Sequence, residues 1–139
     1  MPDKYQFINH TADLGIKVTG KDLGDLFTNA GWAFFDITTN IKKIKPTNRI
    51  EINLTADSKE DLMNFWLSNL LQQFTINHQL LSQFQVNNIT EKSLSISARG
   101  EPFDPAKHPI KQEIKAVTFH ELSVTHEKTG WQSQIIFDV

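Results

Sequence analysis

The sequence predicts an α+β fold: a largely antiparallel β-sheet system with two covering helices. Strand-period and helix-period segments alternate along one chain, and no right-handed βαβ series dominates. Of 139 residues, 39% are apolar, ten Phe and three Trp among them, enough to bury a core without disulfides or metal staples. With no internal repeat and no long linker, residues 1–139 read as a single domain.

Tyr5 to Ile8 and Gly15 to Val18 read as two short strands around the loop His10-Thr11-Ala12-Asp13-Leu14. Leu23, Leu26, Phe27, Ala30, Phe34 and Ile37 then recur at helical spacing, with Asp22 and Asp25 where the helix dipole favours negative charge. The Lys-rich run Ile41 to Lys45 before Pro46 reads as a loop or a short edge segment. Ile50, Ile52 and Leu54 alternate with polar residues as a half-buried strand does. Ser58 is suited to cap a second helix, with Asp61 three residues on and an apolar stripe of Leu62, Phe65, Trp66, Leu70 and Phe74. Four strands complete the chain: Phe84 to Val86, Leu94 to Ala98, a long one over Glu113 to Val124, and Trp131 to Phe137. The turn Glu127-Lys128-Thr129-Gly130 joins the last two as a hairpin. The prolines in GEPFDPAKHP keep that segment irregular.

Composition removes whole classes of chemistry. Cys is absent, which excludes disulfide scaffolds, thiolate zinc sites and cysteine nucleophiles. A net charge of −2 is not that of a polybasic nucleic-acid binder driven by counterion release. The first ten residues hold no apolar export segment, and no run approaches the roughly 18 apolar residues of a membrane span. A cytoplasmic protein without membrane contact is the expectation. No phosphate-binding glycine loop, dinucleotide fingerprint or local hydrolase or metalloprotease signature is present.

The candidate residues are polar groups where a core pattern does not need them. Asp13, between two short strands, reads on its own as a turn residue bonding its own backbone. Asp138 and the Val139 α-carboxylate are either a solvated tail or the end of a docked strand, and the apolar run Ile135-Ile136-Phe137 argues for docking. Two carboxylates so close repel unless a cation, a Lys or solvent relieves them. Lys115 shares a strand face with Val117 and Phe119, the usual setting of an outward Lys. Glu101, Asp104 and His108 are either a metal site or a hydrogen-bonded loop.

Taken together, His10-Thr11-Ala12-Asp13-Leu14-Gly15, Trp66-Leu67-Ser68-Asn69-Leu70-Leu71, Gly100-Glu101 with Asp104 and His108, Lys115-Ala116-Val117-Thr118-Phe119-His120 and the terminal Asp138-Val139 resemble the archease family, end to end and in order. The resemblance implies an archease-like α+β fold with a strand-helix-strand-strand module. It implies a protein cofactor rather than an enzyme: an activator of the GTP-dependent tRNA-splicing RNA ligase. Such an activator promotes guanylylation of the ligase's active-site histidine and multiple turnover in joining RNA 3′-phosphate to 5′-hydroxyl ends. It also implies a divalent-cation site, for Ca²⁺, Mg²⁺ or Mn²⁺, at Asp13, Asp138 and Val139, with Lys115 as the activating lysine and His10, Glu101 and His120 in support. Hard oxygen ligands suit such ions. The partner is then the ligase, with RNA met only indirectly. The alternatives are a chaperone-like modulator of tRNA methylation, a metal-binding interaction module, or a metal-dependent enzyme using Asp13, Asp138 and His120. Ser68-Asn69 replaces the family's Asn-Glu, which leaves the acidic cluster one charge weaker, and Phe119 replaces a Tyr.

Overall fold

The structure, a computed structural model, describes residues 4–8 and 13–139; His10, Thr11 and Ala12 lie outside the described residues. In chain order the elements are β1 (Tyr5–Ile8), β2 (Leu14–Gly20), α1 (Leu23–Thr38), β3 (Asn48–Thr55), α2 (Lys59–Thr75), β4 (Gln79–Ile89), β5 (Ser93–Pro102), β6 (Ala116–Val117), β7 (Ser123–Glu127) and β8 (Gly130–Asp138). All strand pairs are antiparallel. One sheet runs β1-β2-β8-β6, with β7 also on β8; the other runs β3-β5-β4. The second sheet with α2 is the strand-helix-strand-strand module.

Local chemistry sets the helix boundaries. Asp22 Oδ1 accepts the Asp25 N–H at 2.8 Å to start α1, and Ser58 Oγ accepts the Asp61 N–H at 3.1 Å to start α2. The apolar faces of both helices and both sheets meet in one core built around Phe27, Phe34, Phe35, Trp66 and Phe137. Trp66 Nε1 donates to the Phe27 carbonyl at 2.8 Å, which ties α2 to α1 and satisfies the buried indole N–H. Gly100 is required by close approach, since a Cβ there would overlap the Leu80 carbonyl oxygen on β4.

Three sequence expectations need correction. The strand expected over Glu113 to Val124 is split into β6 and β7, because Thr118 turns its hydroxyl and its N–H onto the Ile136 carbonyl and Glu121 takes a left-handed φ of 51°. The Lys-rich run forms a short 3₁₀ turn over Ile41–Lys43. Phe65 is not on the buried stripe of α2 and is 41% exposed. Asn64 is buried instead, its Nδ2 donating to the carbonyls of Val117 and Thr118 at 3.1 and 3.3 Å.

Phe34 has no exposed surface, and its ring packs edge-on against Phe35 and Phe137 at centroid distances of 5.0 and 6.1 Å. Phe34→Ala should cost about 3–5 kcal/mol, read as the loss of ΔG in a urea unfolding curve. A loss under about 1 kcal/mol would mean that this ring does not bind α1 to β8.

Candidate functional site

The candidate site is built at one end of β8. Leu14 pairs with Phe137 across β2 and β8, so the antiparallel register, carried one position further, sets Asp13 opposite Asp138. Strand alternation directs both to one face, away from buried Phe137. On the other flank Ala116 pairs with Asp138, and the Lys115 N–H donates to the Asp138 carbonyl at 2.8 Å. The same register sets Lys115 opposite Val139. Asp13 and Lys115, far from Asp138 and Val139 in sequence, are thus brought to the same end of the sheet because β8 lies between β2 and β6, with Lys115 on the face opposite to Asp13 and Asp138. Asp138 and Lys115 are exposed, while Asp13 and Val139 are half-buried.

Lys115 borders a mainly apolar cavity lined by Phe74, Thr75, Ile110, Glu113 and Ile114, beside the C-terminal end of α2. The segment that carries Lys115 is held from behind. Lys111 N–H donates to the Thr38 carbonyl at 2.9 Å, Lys111 Nζ reaches the Asp36 carbonyl, and Thr39 Oγ1 donates to the Pro109 carbonyl. The two Lys111 bonds also occupy carbonyls at the end of α1, which would otherwise lack partners. Ser68 Oγ donates to Asn64 Oδ1 at 3.1 Å, and Asn64 holds residues 117 and 118. The Trp66–Leu71 and Lys115–His120 motifs are therefore one spatial unit, a link that Asn64, outside both motifs, concealed. At the position of the family's Glu, the Asn69 side-chain oxygen is buried and has no hydrogen-bond partner among the described residues.

Of the supporting residues, His120 is exposed, with its Nε2 3.8 Å from Glu121. Glu101 is committed elsewhere. Its carboxylate accepts the Lys45 N–H at 2.8 Å, Lys107 Nζ at 2.7 Å and His108 Nε2 at 2.9 Å. The Asp104 N–H donates to His108 Nδ1, so the neutral ring carries its proton on Nε2 and donates it to Glu101. Of the two sequence readings of Glu101, Asp104 and His108, the hydrogen-bonded loop is the one formed. Burial raises the Glu101 pKa, but Lys107, the Lys45 N–H and His108 together outweigh burial and hold the carboxyl at about 2. Among the described residues no three Asp, Glu or His side chains gather as a metal-ligand group. The expected donor set differs in kind: two carboxylate side chains and the Val139 carboxylate, all hard oxygen, exposed or half-buried. Hard oxygen donors of this kind suit a hard divalent cation.

Fold and site define a small α+β protein whose polar groups converge on an open sheet end rather than inside an enclosed pocket. Residues 5–139 match the Archease protein family (MTH1598/TM1083). Protein archease of Methanosarcina barkeri is 35% identical over 140 residues, covering 98% of this chain and 96% of that protein. Protein archease of Sulfurisphaera tokodaii is 33% identical over 138 residues, covering 98% and 99%. The solution structure of Methanobacterium thermoautotrophicum protein 1598 superimposes with a TM-score of 0.80 at 25% identity, covering 99% of this chain and 100% of that one. The crystal structure of a Thermotoga maritima archease, described as a possible chaperone, shares the fold with a TM-score of 0.67 at 17% identity, covering 95% and 94%. The chain belongs to the archease family. No helix among the described residues is long and apolar enough to cross a membrane.

The low pKa of Glu101 sets the sign of a pH effect. A depressed carboxyl stabilises the fold above its unfolded value of 4.5, and that contribution is lost as pH falls from there towards about 2. Glu101→Gln should lower the melting temperature at pH 7 by roughly 6 °C, from about 2 kcal/mol of charge-assisted hydrogen bonding. The gap to wild type should shrink as pH drops below about 4. A gap that stays constant from pH 7 to pH 3 in scanning calorimetry would remove the ionised clasp.

Proposed function

We propose that this protein activates a GTP-dependent tRNA-splicing RNA ligase as a protein cofactor, promoting guanylylation of the ligase's active-site histidine and repeated joining of RNA 3′-phosphate to 5′-hydroxyl ends. The observation that carries the reading is the convergence of Asp13, Asp138, Val139 and Lys115 on one accessible sheet end. Asp13, Asp138 and the Val139 carboxylate would hold Ca²⁺, Mg²⁺ or Mn²⁺. Such an ion, when bound, supplies positive charge for phosphate oxygens at the ligase's active-site mouth. Lys115 contributes a fixed cation of its own on the other flank of β8. The apolar cavity beside it offers a seat for a ligase side chain, which would fix the orientation of docking. Membership of the family supports the reading.

The deciding measurement is transfer of radiolabelled GMP from GTP to the ligase, with and without this protein. Wild type should stimulate transfer, and Asp13→Ala, Asp138→Ala and Lys115→Ala should each reduce stimulation by about tenfold or more, equivalent to about 1.4 kcal/mol. No stimulation by wild type would sink the proposal. Extending the chain beyond Val139 by several residues should weaken Mn²⁺ binding in calorimetry; unchanged affinity would take the Val139 carboxylate out of the ligand set.

Exposed Phe7, Phe65, Ile76, Ile110 and Phe119 favour a second reading, a chaperone-like modulator of tRNA methylation. That role would tolerate Asp13→Ala, whereas ligase activation would not.

A further inference from the structure

The outer face of the β3-β5-β4 sheet carries a charge arrangement that the site at the end of β8 does not use. The chain has only two arginines, Arg49 and Arg99. The register sets them directly opposite each other on β3 and β5, with Gln83 next in the row on β4. All three are exposed, while their neighbours Ile50, Ala98 and Phe84 face the core. Like charges directly opposite in a ladder destabilise a sheet, so the fold itself does not call for this pairing.

Arg49 is partly offset, with Nη2 2.7 Å from Glu51 Oε1 and 3.1 Å from Ser97 Oγ. Arg99 has no ion-pair or side-chain hydrogen-bond partner among the described residues. Glu101, two residues on, is committed to Lys107 and His108. The segment entering β3 adds exposed Lys42, Lys43 and Lys45, and no acidic residue lies between Asp36 and Glu51. Two backbone N–H groups hold that segment at the Arg99 end of β5: Lys45 N–H donates to the Glu101 carboxylate and Thr47 N–H to the Gly100 carbonyl.

The face also carries Glu51, whose carboxylate is held by Arg49, Ser97 and Asn87. The rest is amide and hydroxyl, with Asn53, Gln85, Asn88 and Ser95 pointing outward and no aromatic or large aliphatic side chain among them. Protein docking sites centre on buried aromatic or aliphatic anchors. Phosphate backbones are instead gripped by Arg, Lys, Ser, Asn and Gln side chains. The composition of this face therefore matches a nucleic-acid backbone and not an acidic protein surface. A whole-chain charge of −2 does not oppose this, because a ligand at a surface responds to charges within about one Debye length, roughly 8–10 Å.

We infer that this face binds the phosphate backbone of RNA through Arg99 and Arg49, assisted by Lys42, Lys43 and Lys45, without reading sequence. The choice of RNA as the nucleic acid rests on the function proposed above; the contact to phosphate does not. The polynucleotide is held on one sheet while the ligase meets the end of the other.

The test is fluorescence anisotropy of a labelled single-stranded RNA titrated with the full chain at low salt, with no ligase present. Wild type should bind, more weakly as salt rises, and Arg99→Glu should weaken binding by about tenfold or more. Arg99→Gln should also weaken binding while melting no lower than wild type, since it removes the repulsion of Arg49. Three results would each overturn the inference: no binding by wild type, Arg99→Glu binding like wild type, or polyglutamate competing as well as unlabelled RNA. Because the ligase is absent, a failure here is distinguishable from a failure of ligase activation.

Discussion

β8 is hydrogen-bonded along both flanks, and most of the molecule is arranged by that constraint. It pairs with β2 over seven positions on one side and with β7 and then β6 on the other. A strand so enclosed leaves few backbone donors or acceptors unpaired and must be apolar where it is covered. Ile135 and Phe137 meet that demand towards the helices. Ile136 is buried on the opposite side, where a Cβ at Gly15 would come within 2.6 Å of Ile8 and 3.1 Å of Ile136. Gly15 therefore lets Ile8 close over Ile136. The result is a rigid strand that ends in Asp138, with Asp13 and Lys115 on its two flanks.

The irregular segment between β5 and β6 depends on a different device. It has few ladder bonds of its own, so side chains hold it: Glu101 binds Lys107 and His108 at its start, and Lys111 and Thr39 fasten its middle to the end of α1. His108 is 1% exposed, and its ring is fully used by Asp104 and Glu101. A histidine beside acids invites a metal reading; here the geometry spends its nitrogens on holding the loop that delivers Lys115. Asn64 performs the corresponding service from α2.

Net charge proved a poor guide to where charge acts. The −2 total averages a carboxylate-bearing end of one sheet against a guanidinium-bearing face of the other. In each case the strand register, not the local sequence, makes neighbours of like charges: Asp13 with Asp138, and Arg49 with Arg99. Opposed like charges cost stability; Glu51 offsets part of that cost at Arg49, and both pairs lie at accessible positions.

The sequence by itself determined both helices, the cap at Ser58, the strands that alternate cleanly, the hairpin over residues 127–130 and the family. Each of these is encoded by a period or a cap within a few residues. The exposure of Phe65, the burial of Asn64 and the break in the strand expected over residues 113–124 were not legible. They depend on Val117, Thr118 and Ile136 meeting α2 and β8 from far along the chain. For the candidate site, the chain supplied the residues and the resemblance named them, but their convergence came from β8 lying between β2 and β6. That arrangement was decided only in the tertiary structure, because side-chain alternation states which face a residue takes and is silent on which strand lies beside it.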